Sequence, residues 1–259
     1  MTLNGCTLAG RRRRRRLAGL LAGAVVVAAL AGCGEDVAGP STPTELRGPA
    51  VAVGNGTAQL YVTKSTGGVQ SVGIRLSAGA LSALPDTAVE WLLALPAGVN
   101  AAPWDHAMLD WNPQGHEPVA IYGVPHFDFH FYTVPVAEQM AIAGGPDTTT
   151  VPAANVPRDY ASQVISVPAM GVHWADTTAA EFHGHPFDRT FIYGFSHGTL
   201  VFVEPMVTRA YLQSQPDSTA PVKQPQAFQQ PGLYPMSYRV STDAGTGAVS
   251  VALTGLTPH

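Results

Sequence analysis

Apolar and polar positions alternate in short runs along much of the chain, and the runs are separated by glycine and proline, which is the pattern of antiparallel strands. Three pairs of runs predict hairpins: 58–63 with 69–76, 191–194 with 199–204, and 237–241 with 248–253. Residues 89–95 and 125–134 are further strand candidates. Short helices are expected only over 136–143 and 207–213, each just after a proline. The pattern predicts a mainly β, antiparallel, sandwich-like or barrel-like fold with a few short helices.

Composition supports this fold class. The 259 residues include 27 Gly and 22 Pro, which makes long helices unfavourable, while 46% hydrophobic residues are sufficient for a packed core. Charged residues make up only 12%, so neither a coiled coil nor a highly charged disordered chain is expected. Two cysteines cannot form a disulfide framework.

The first residues predict export. Six arginines at 11–16 precede an apolar stretch over 17–30, which is too short to span a bilayer and is typical of a signal peptide. The Leu-Ala-Gly-Cys sequence that ends at Cys33 resembles the lipobox of bacterial lipoproteins. That resemblance implies removal of residues 1–32, lipidation of Cys33 and attachment to the bacterial cell membrane or outer membrane through acyl chains. An ordinary secretory signal, and export by either the general or the twin-arginine route, stay open.

Removal of the signal changes the charge of the protein. The remaining chain would carry 8 basic and all 18 acidic residues, so it lacks the basic surface that binds phosphates, and nucleic acid is not expected as a partner. Cys6 would leave with the signal and Cys33 would carry lipid. Any metal site in the exported part must therefore use histidine and carboxylate ligands.

The exported part divides into two predicted regions. Residues 33–48 are polar, contain glycine and proline, and show no periodicity, which predicts a flexible tether. Residues 49–257 are expected to form a single mainly β domain. Within it, the Pro- and Gln-rich stretch 216–232 predicts a long surface connection.

The main candidates for metal ligands lie in the predicted strand over residues 125–134. As a strand, residues 126–132 place His126, Asp128 and His130 on one face and three phenylalanines on the other. His126 and His130 are about 13 Å apart along a straight strand, so they cannot both bind one small ion unless the strand contains a bulge. The spacing favours Asp128 with one of the flanking histidines.

Other residues could complete such a site. His173 lies in an apolar stretch, and Glu204 ends an apolar strand where an unpaired acid is costly. His116 lies on a turn and, like His106, His183 and His185, has the surroundings of a loop residue. The predicted set is therefore His126, Asp128, His130, His173 and Glu204, which suits Zn, Mn, Fe or Ni.

Each of these residues also has a structural interpretation. His126, Asp128 and His130 can form a buried hydrogen-bond network, and His173 can be a core histidine. Glu204 can cap a helix that follows Pro205. The sequence Gly-Phe-Ser-His-Gly that ends at Gly198 matches the letters of a hydrolase nucleophile motif, but a strand is predicted after it, which favours a hairpin tip.

Four ordered segments carry a further resemblance: NPQGHEP, YGVPHFDFHFY, MGVHWAD, and FIYG followed by FVEPMVTRAYL. They are similar to a bacterial domain family of unknown function related to a sigma-factor-regulated stress protein of a thermophile. The resemblance implies an exported domain and no mechanism. The expected function is an envelope lipoprotein that binds metal or a small ligand, with a link to stress; a metal-dependent hydrolase or lyase and a structural or oligomerising surface protein are the alternatives.

Overall fold

The computed structural model describes residues 42–259, except the side chain of Gln163. The predicted signal peptide, Cys33 and the start of the predicted tether lie outside the described residues. No helix in the described part is long and apolar enough to cross a bilayer.

Strands form most of the described structure. In chain order they are β1 (Thr44–Arg47), β2 (Val51–Val53), β3 (Gly56–Ser65), β4 (Gly68–Leu76), β5 (Val89–Ala94), β6 (His106–Asn112), β7 (His126–Tyr132), β8 (Gly145–Pro146), β9 (Tyr160–Val167), β10 (Gly171–Asp176), β11 (Arg189–Ser196), β12 (Thr199–Thr208), β13 (Asp217–Pro221), β14 (Leu233–Thr242) and β15 (Val249–Pro258). The short helices are α1 (Val119–Tyr122), α2 (Val136–Met140) and α3 (Arg209–Gln213).

The strands form two antiparallel sheets. The seven-stranded sheet has the order β1-β3-β4-β15-β14-β13, with β2 also paired to β3. The eight-stranded sheet has the order β5-β6-β7-β12-β11-β10-β9-β8. Neither sheet closes into a barrel, so the prediction of a mainly β, sandwich-like fold with a few short helices is confirmed.

A single hydrophobic cluster contains the inward faces of both sheets. Leu60 and Val251 come from the seven-stranded sheet, and Phe127, Phe129 and Phe131 come from β7. Since alternate residues of a strand point to opposite faces, packing these phenylalanines into the core leaves His126, Asp128 and His130 on the outer face. Loops and a second, smaller cluster that includes Tyr122, Phe187 and Met206 cover that outer face.

The predicted hairpins are present as β3–β4, β11–β12 and β14–β15. Two segments differ from their predicted state. Residues 44–47, predicted as tether, form β1 and pair with β3; residues 217–221, predicted as connection, form β13 and pair with β14. Both strands lie at sheet edges, where backbone hydrogen bonds to one neighbour are enough to hold a strand. Such a strand does not need a buried apolar face, so its sequence lacks the alternation that predicts one.

The end of β12 also differs from prediction. The strand continues to Thr208, and α3 begins at Arg209 with the Thr208 side chain accepting a hydrogen bond from the backbone N–H of Tyr211. Glu204 therefore lies inside a strand and caps no helix. The Gly-Phe-Ser-His-Gly sequence forms the β11–β12 hairpin, in which His197 and Gly198 have φ values of 47° and 79°, and β12 rather than a helix follows it.

Candidate metal centres

The functional side chains come from the outer face of the eight-stranded sheet. Strand β7 is buried on both faces, so its three ionisable residues are almost fully removed from water: His126 is 0%, Asp128 4% and His130 1% exposed. Burial of this kind is unfavourable for charged groups unless they are paired or bind a metal.

Carboxylates occupy matching positions on three neighbouring strands. Glu90 is the direct partner of Asp110 across β5 and β6, and Asp110 is the direct partner of Asp128 across β6 and β7. Like charges directly opposite one another destabilise a sheet. Burial raises the pKa of Asp110, and burial together with the Asp110 charge raises the pKa of Glu90. The arrangement favours a cation at this face.

His116, His126 and Asp128 form the first triad, in which one ligand atom from each residue lies within 4.8 Å of the others. His126 Nε2 is 3.2 Å from Asp128 Oδ1, and His116 Nε2 is 3.5 Å from Asp128 Oδ2. Asn112 Nδ2 donates a 2.6 Å hydrogen bond to the same Oδ2. Burial opposes ionisation of Asp128, but the neighbouring His116 and His126 rings lower its pKa below the usual range.

Backbone contacts determine which nitrogen of each ring faces Asp128. His126 Nδ1 is 2.7 Å from the carbonyl of Val124, and His116 Nδ1 is 2.8 Å from the carbonyl of Glu117. A carbonyl can only accept, so both Nδ1 atoms are donors and the Nε2 atom of each neutral ring presents a lone pair to the carboxylate. A lone pair and a carboxylate oxygen repel unless a proton or a metal ion lies between them. Metal-binding histidines commonly have this arrangement, in which the other ring nitrogen donates to a carbonyl.

His130, His173 and Glu204 form the second triad, also within 4.8 Å. The Nε2 atoms of both histidines are 3.5 Å from Glu204 Oε2. His130 Nδ1 is 3.2 Å from Asp110 Oδ2, so a second carboxylate lies against the other side of the ring.

The pKa values of the second triad shift in different directions: those of Glu204 and His130 are raised, and that of His173 is lowered. Burial raises the pKa of Glu204 to about 8. Burial opposes protonation of His130, but Glu204 and Asp110 outweigh it and raise its pKa to about 10. Burial and the neighbouring His130 charge lower the pKa of His173, which therefore stays neutral and available as a ligand.

Seven buried polar atoms in this region make no hydrogen bond to another described residue: Asp110 Oδ1 and Oδ2, His126 Nε2, Asp128 Oδ1, His130 Nδ1 and Nε2, and Glu204 Oε2. Each of the histidine nitrogens among them lies 3.2–3.5 Å from a carboxylate oxygen, but the angles are not those of a hydrogen bond. Such atoms are rare in folded proteins and call for a bound partner. Two ligands held at about 2.0–2.1 Å by a tetrahedral ion are about 3.3 Å apart, which agrees with the 3.2 and 3.5 Å separations here.

Both triads open on one pocket of about 680 Å³. His116 and His173 keep 37% and 28% of their side chains exposed, whereas Glu204 lies deeper at 1%. Most of the wall is apolar. Each triad supplies three possible ligands, and one of the three is a partly exposed histidine. Three protein ligands would leave a fourth position of a tetrahedral ion for water or another group.

The structure assigns every predicted site residue to one of the triads. His126 and Asp128 belong to the first; His130, His173 and Glu204 belong to the second. The two histidines of β7 thus lie in different triads, in agreement with the distance argument from the strand spacing.

Sequence reasoning underestimated some residues. His116 lies in a loop as expected, but its ring returns to Asp128. His106, predicted to lie in a loop, instead begins β6 and is buried at 3% exposure, with Nε2 2.7 Å from Gln139 Oε1. Asp110 and Asn112 were missed, although polar residues at alternate positions of β6 match the pattern of β7.

One family model matches part of the chain. Residues 65–111 match the family described as "TTHB210-like: Hypothetical protein TTHB210". The match supports the resemblance to a thermophile-related family of unknown function, but residues 65–111 precede all four segments that carry that resemblance. It includes Asp110 but ends before either triad begins. No curated protein and no solved structure matches the chain.

Proposed function

We propose that the protein binds two divalent metal ions, one in each triad, at the wall of a pocket that admits a small ligand. The observation that supports this most directly is the orientation of His116 and His126. Both rings donate Nδ1–H to backbone carbonyls, so both Nε2 atoms face the buried Asp128 carboxylate. Two imidazoles and one carboxylate per triad suit Zn, Fe, Mn or Ni.

The buried carboxylates also support bound cations. Asp110 and Asp128 face each other on β6 and β7, and Glu204 lies on the same outer face, all three almost fully buried. In the metal-free protein, protonation of His116, His130 and Glu204, whose pKa values are raised, compensates this charge. Divalent ions in the triads would replace those protons, because a histidine binds metal in its neutral form.

A second candidate function is a metal-dependent hydrolase or lyase. The partly exposed edges of His116 and His173 on the pocket favour it, because a catalytic ion needs a coordination position free for water or substrate. Asp128 and Glu204 each belong to a triad, whereas Glu90, exposed on the pocket wall with a raised pKa, is a carboxylate outside the triads that is available for general-base work.

The proposal includes the location of the protein. The arginine run, the short apolar stretch and Cys33 support an exported lipoprotein, with the pocket presented outside the cytoplasm. In a bacterial host, labelled fatty acid should be incorporated into the wild-type chain and not into a Cys33→Ala variant. Equal labelling of both chains would contradict lipidation at Cys33.

Metal content tests the main proposal. The full chain, purified in detergent without chelator, should contain about two divalent ions by elemental analysis. A His126→Ala variant and a His173→Ala variant should each retain about one, while His185→Ala, an exposed histidine outside both triads, should retain two. Metal-free protein that also fails to bind added Zn²⁺, Mn²⁺, Fe²⁺ or Ni²⁺ would contradict the proposal.

A further inference from the structure

We propose that the natural ligand of the pocket is a small, mainly apolar molecule that carries an anionic oxygen-donor group, and that this group binds the metal ions of the two triads. The inference rests on the proposed metal function and specifies its ligand class.

The part of the wall outside the triads is mainly apolar. Strands β5, β6, β9 and β11 and the adjoining loops contribute aliphatic and aromatic side chains to it: Val89, Trp111, Ile165, Met170, Phe182 and Ile192. Ile165 and Val167 are 52% and 39% exposed, although exposed aliphatic residues are unfavourable in water. Both residues line the pocket, so an apolar ligand that enters it would cover them.

The charges of the pocket determine what the polar end of the ligand can be. Neither lysine nor arginine is among its lining residues, whereas Glu90, Asp110, Glu117 and Asp128 are. The histidines of the triads are the lining residues that can carry a positive charge, and they are neutral when they bind metal, so in the metal-bound protein an anionic group pairs with the ions and not with a side chain. Metal ions in the triads reverse the charge of the carboxylates and make an oxygen donor the favoured group.

Both triads adjoin β7, so the polar end of the ligand would bind on the β7 side of the pocket. Asp128 and His130 belong to different triads and are two residues apart on β7, which places their backbones about 6.6 Å from each other. Donor atoms at one end of a compact molecule can reach this region while its body lies against β9 and β11. The volume of about 680 Å³ is that of a pocket for one small molecule.

Two hydroxamic acids test the inference. Acetohydroxamate and benzohydroxamate present the same chelating group, and only the second has an apolar ring. Added to the full chain loaded with Co²⁺ in detergent, each should change the visible absorption of the ion, with benzohydroxamate at least about tenfold tighter because its ring leaves water. Partition of benzohydroxamate into detergent lowers its free concentration and works against the expected result.

Two substitutions locate the preference. Ile165→Asp puts a charge on the pocket wall and should reduce the preference for benzohydroxamate to less than threefold while Co²⁺ stays bound. Leu92→Asp is the matched control, since Leu92 is an exposed strand residue, 45% exposed, outside the pocket lining, and this variant should keep the preference.

The outcomes separate this inference from the metal proposal. Failure to bind Co²⁺ would contradict the metal function itself. Co²⁺ binding with equal affinity for the two hydroxamates would leave the metal function intact and overturn the apolar ligand. Benzohydroxamate binding of equal strength without metal, measured by calorimetry, would overturn the role given to the ions.

Discussion

Asp110 and Asp128 lie directly opposite each other on β6 and β7, and both are only 4% exposed. Each carboxylate faces its own histidine: Asp110 Oδ2 is 3.2 Å from His130 Nδ1, and Asp128 Oδ1 is 3.2 Å from His126 Nε2. This pair of carboxylates connects the two triads, because Asp128 belongs to the first and Asp110 lies against a histidine of the second. Removal of either carboxylate should therefore affect the two centres differently.

Asp110→Asn should weaken both the metal-free protein and metal binding at the second triad. Asp110 Oδ2 lies 3.2 Å from His130 Nδ1 and helps to raise the pKa of that ring, so removal of the carboxylate leaves a buried imidazolium with less compensation and should cost about 1–3 kcal/mol. Metal affinity at the second triad should fall by about 10–100-fold, because Asp110 lies against the second nitrogen of a ligand ring. Denaturant unfolding and competitive metal titration measure the two effects. A gain of stability in the metal-free variant would mean that repulsion between Asp110 and Asp128 outweighs the pair with His130 and would contradict the first expectation.

Asn112→Ala should weaken the first triad alone. The side chain of Asn112 donates a 2.6 Å hydrogen bond to Asp128 Oδ2, and loss of such an orienting contact commonly lowers metal affinity by about 10–100-fold. Titration with a metal indicator should show one weakened site and one unchanged site per chain. Equal weakening of both sites would mean that Asn112 acts through the fold as a whole.

Metal-free protein should lose stability as the pH rises from 6.5 to 9. The pKa values of His116 and His130 are raised to about 9 and about 10 in the folded chain, and that of Glu204 to about 8. Each group binds its proton more tightly when folded, so its contribution is complete below the unfolded pKa and is lost as the pH passes the folded value. His173, whose pKa is lowered, is neutral in both states above pH 6.5 and adds nothing there.

Added metal should reverse this dependence, since metal binding displaces protons and strengthens as the pH rises. Thermal midpoints measured with and without Zn²⁺ should diverge between pH 6.5 and 9. The Glu204→Gln variant without metal should show a shallower decline than the wild type. A metal-free midpoint that rises over this range would contradict the assigned pKa directions.

Gly194→Ala should disrupt the second triad through packing. Gly194 is the direct partner of His173 on β10 and of Phe202 on β12, and a Cβ atom at Gly194 would overlap the Phe202 ring. That ring packs against His130 and His173, with centroids 4.8 and 5.1 Å away. We expect a loss of about 1–3 kcal/mol of stability and of one bound metal ion.

Gly67→Ala is the control for this substitution, because Gly67 lies in the β3–β4 turn and the nearest atom to an added Cβ, Ser65 Oγ, is 3.7 Å away. Its stability and metal content should match those of the wild type. Retention of two ions in Gly194→Ala would show that the second triad tolerates a shift of the Phe202 ring.

The sequence by itself determined the fold class and one face of the site. Alternation over residues 126–132 is enough to put three phenylalanines in the core and His126, Asp128 and His130 opposite them, because the period of a strand is two. The same spacing separates His126 from His130. Edge strands such as β1 and β13 escaped prediction because backbone pairing, rather than a buried side-chain pattern, holds them.

Only the tertiary structure decided which residues meet. The strand order β6-β7-β12-β11-β10 brings Asp110, Glu204 and His173 to His130, although they are separated along the chain, and a loop returns His116 to Asp128. The alternation of apolar and polar residues indicates which face of a strand a residue occupies. Its neighbour on the next strand depends instead on strand order and register. Those depend on the packing of the whole sandwich, so the division of the predicted residues into two triads could not be obtained from the sequence.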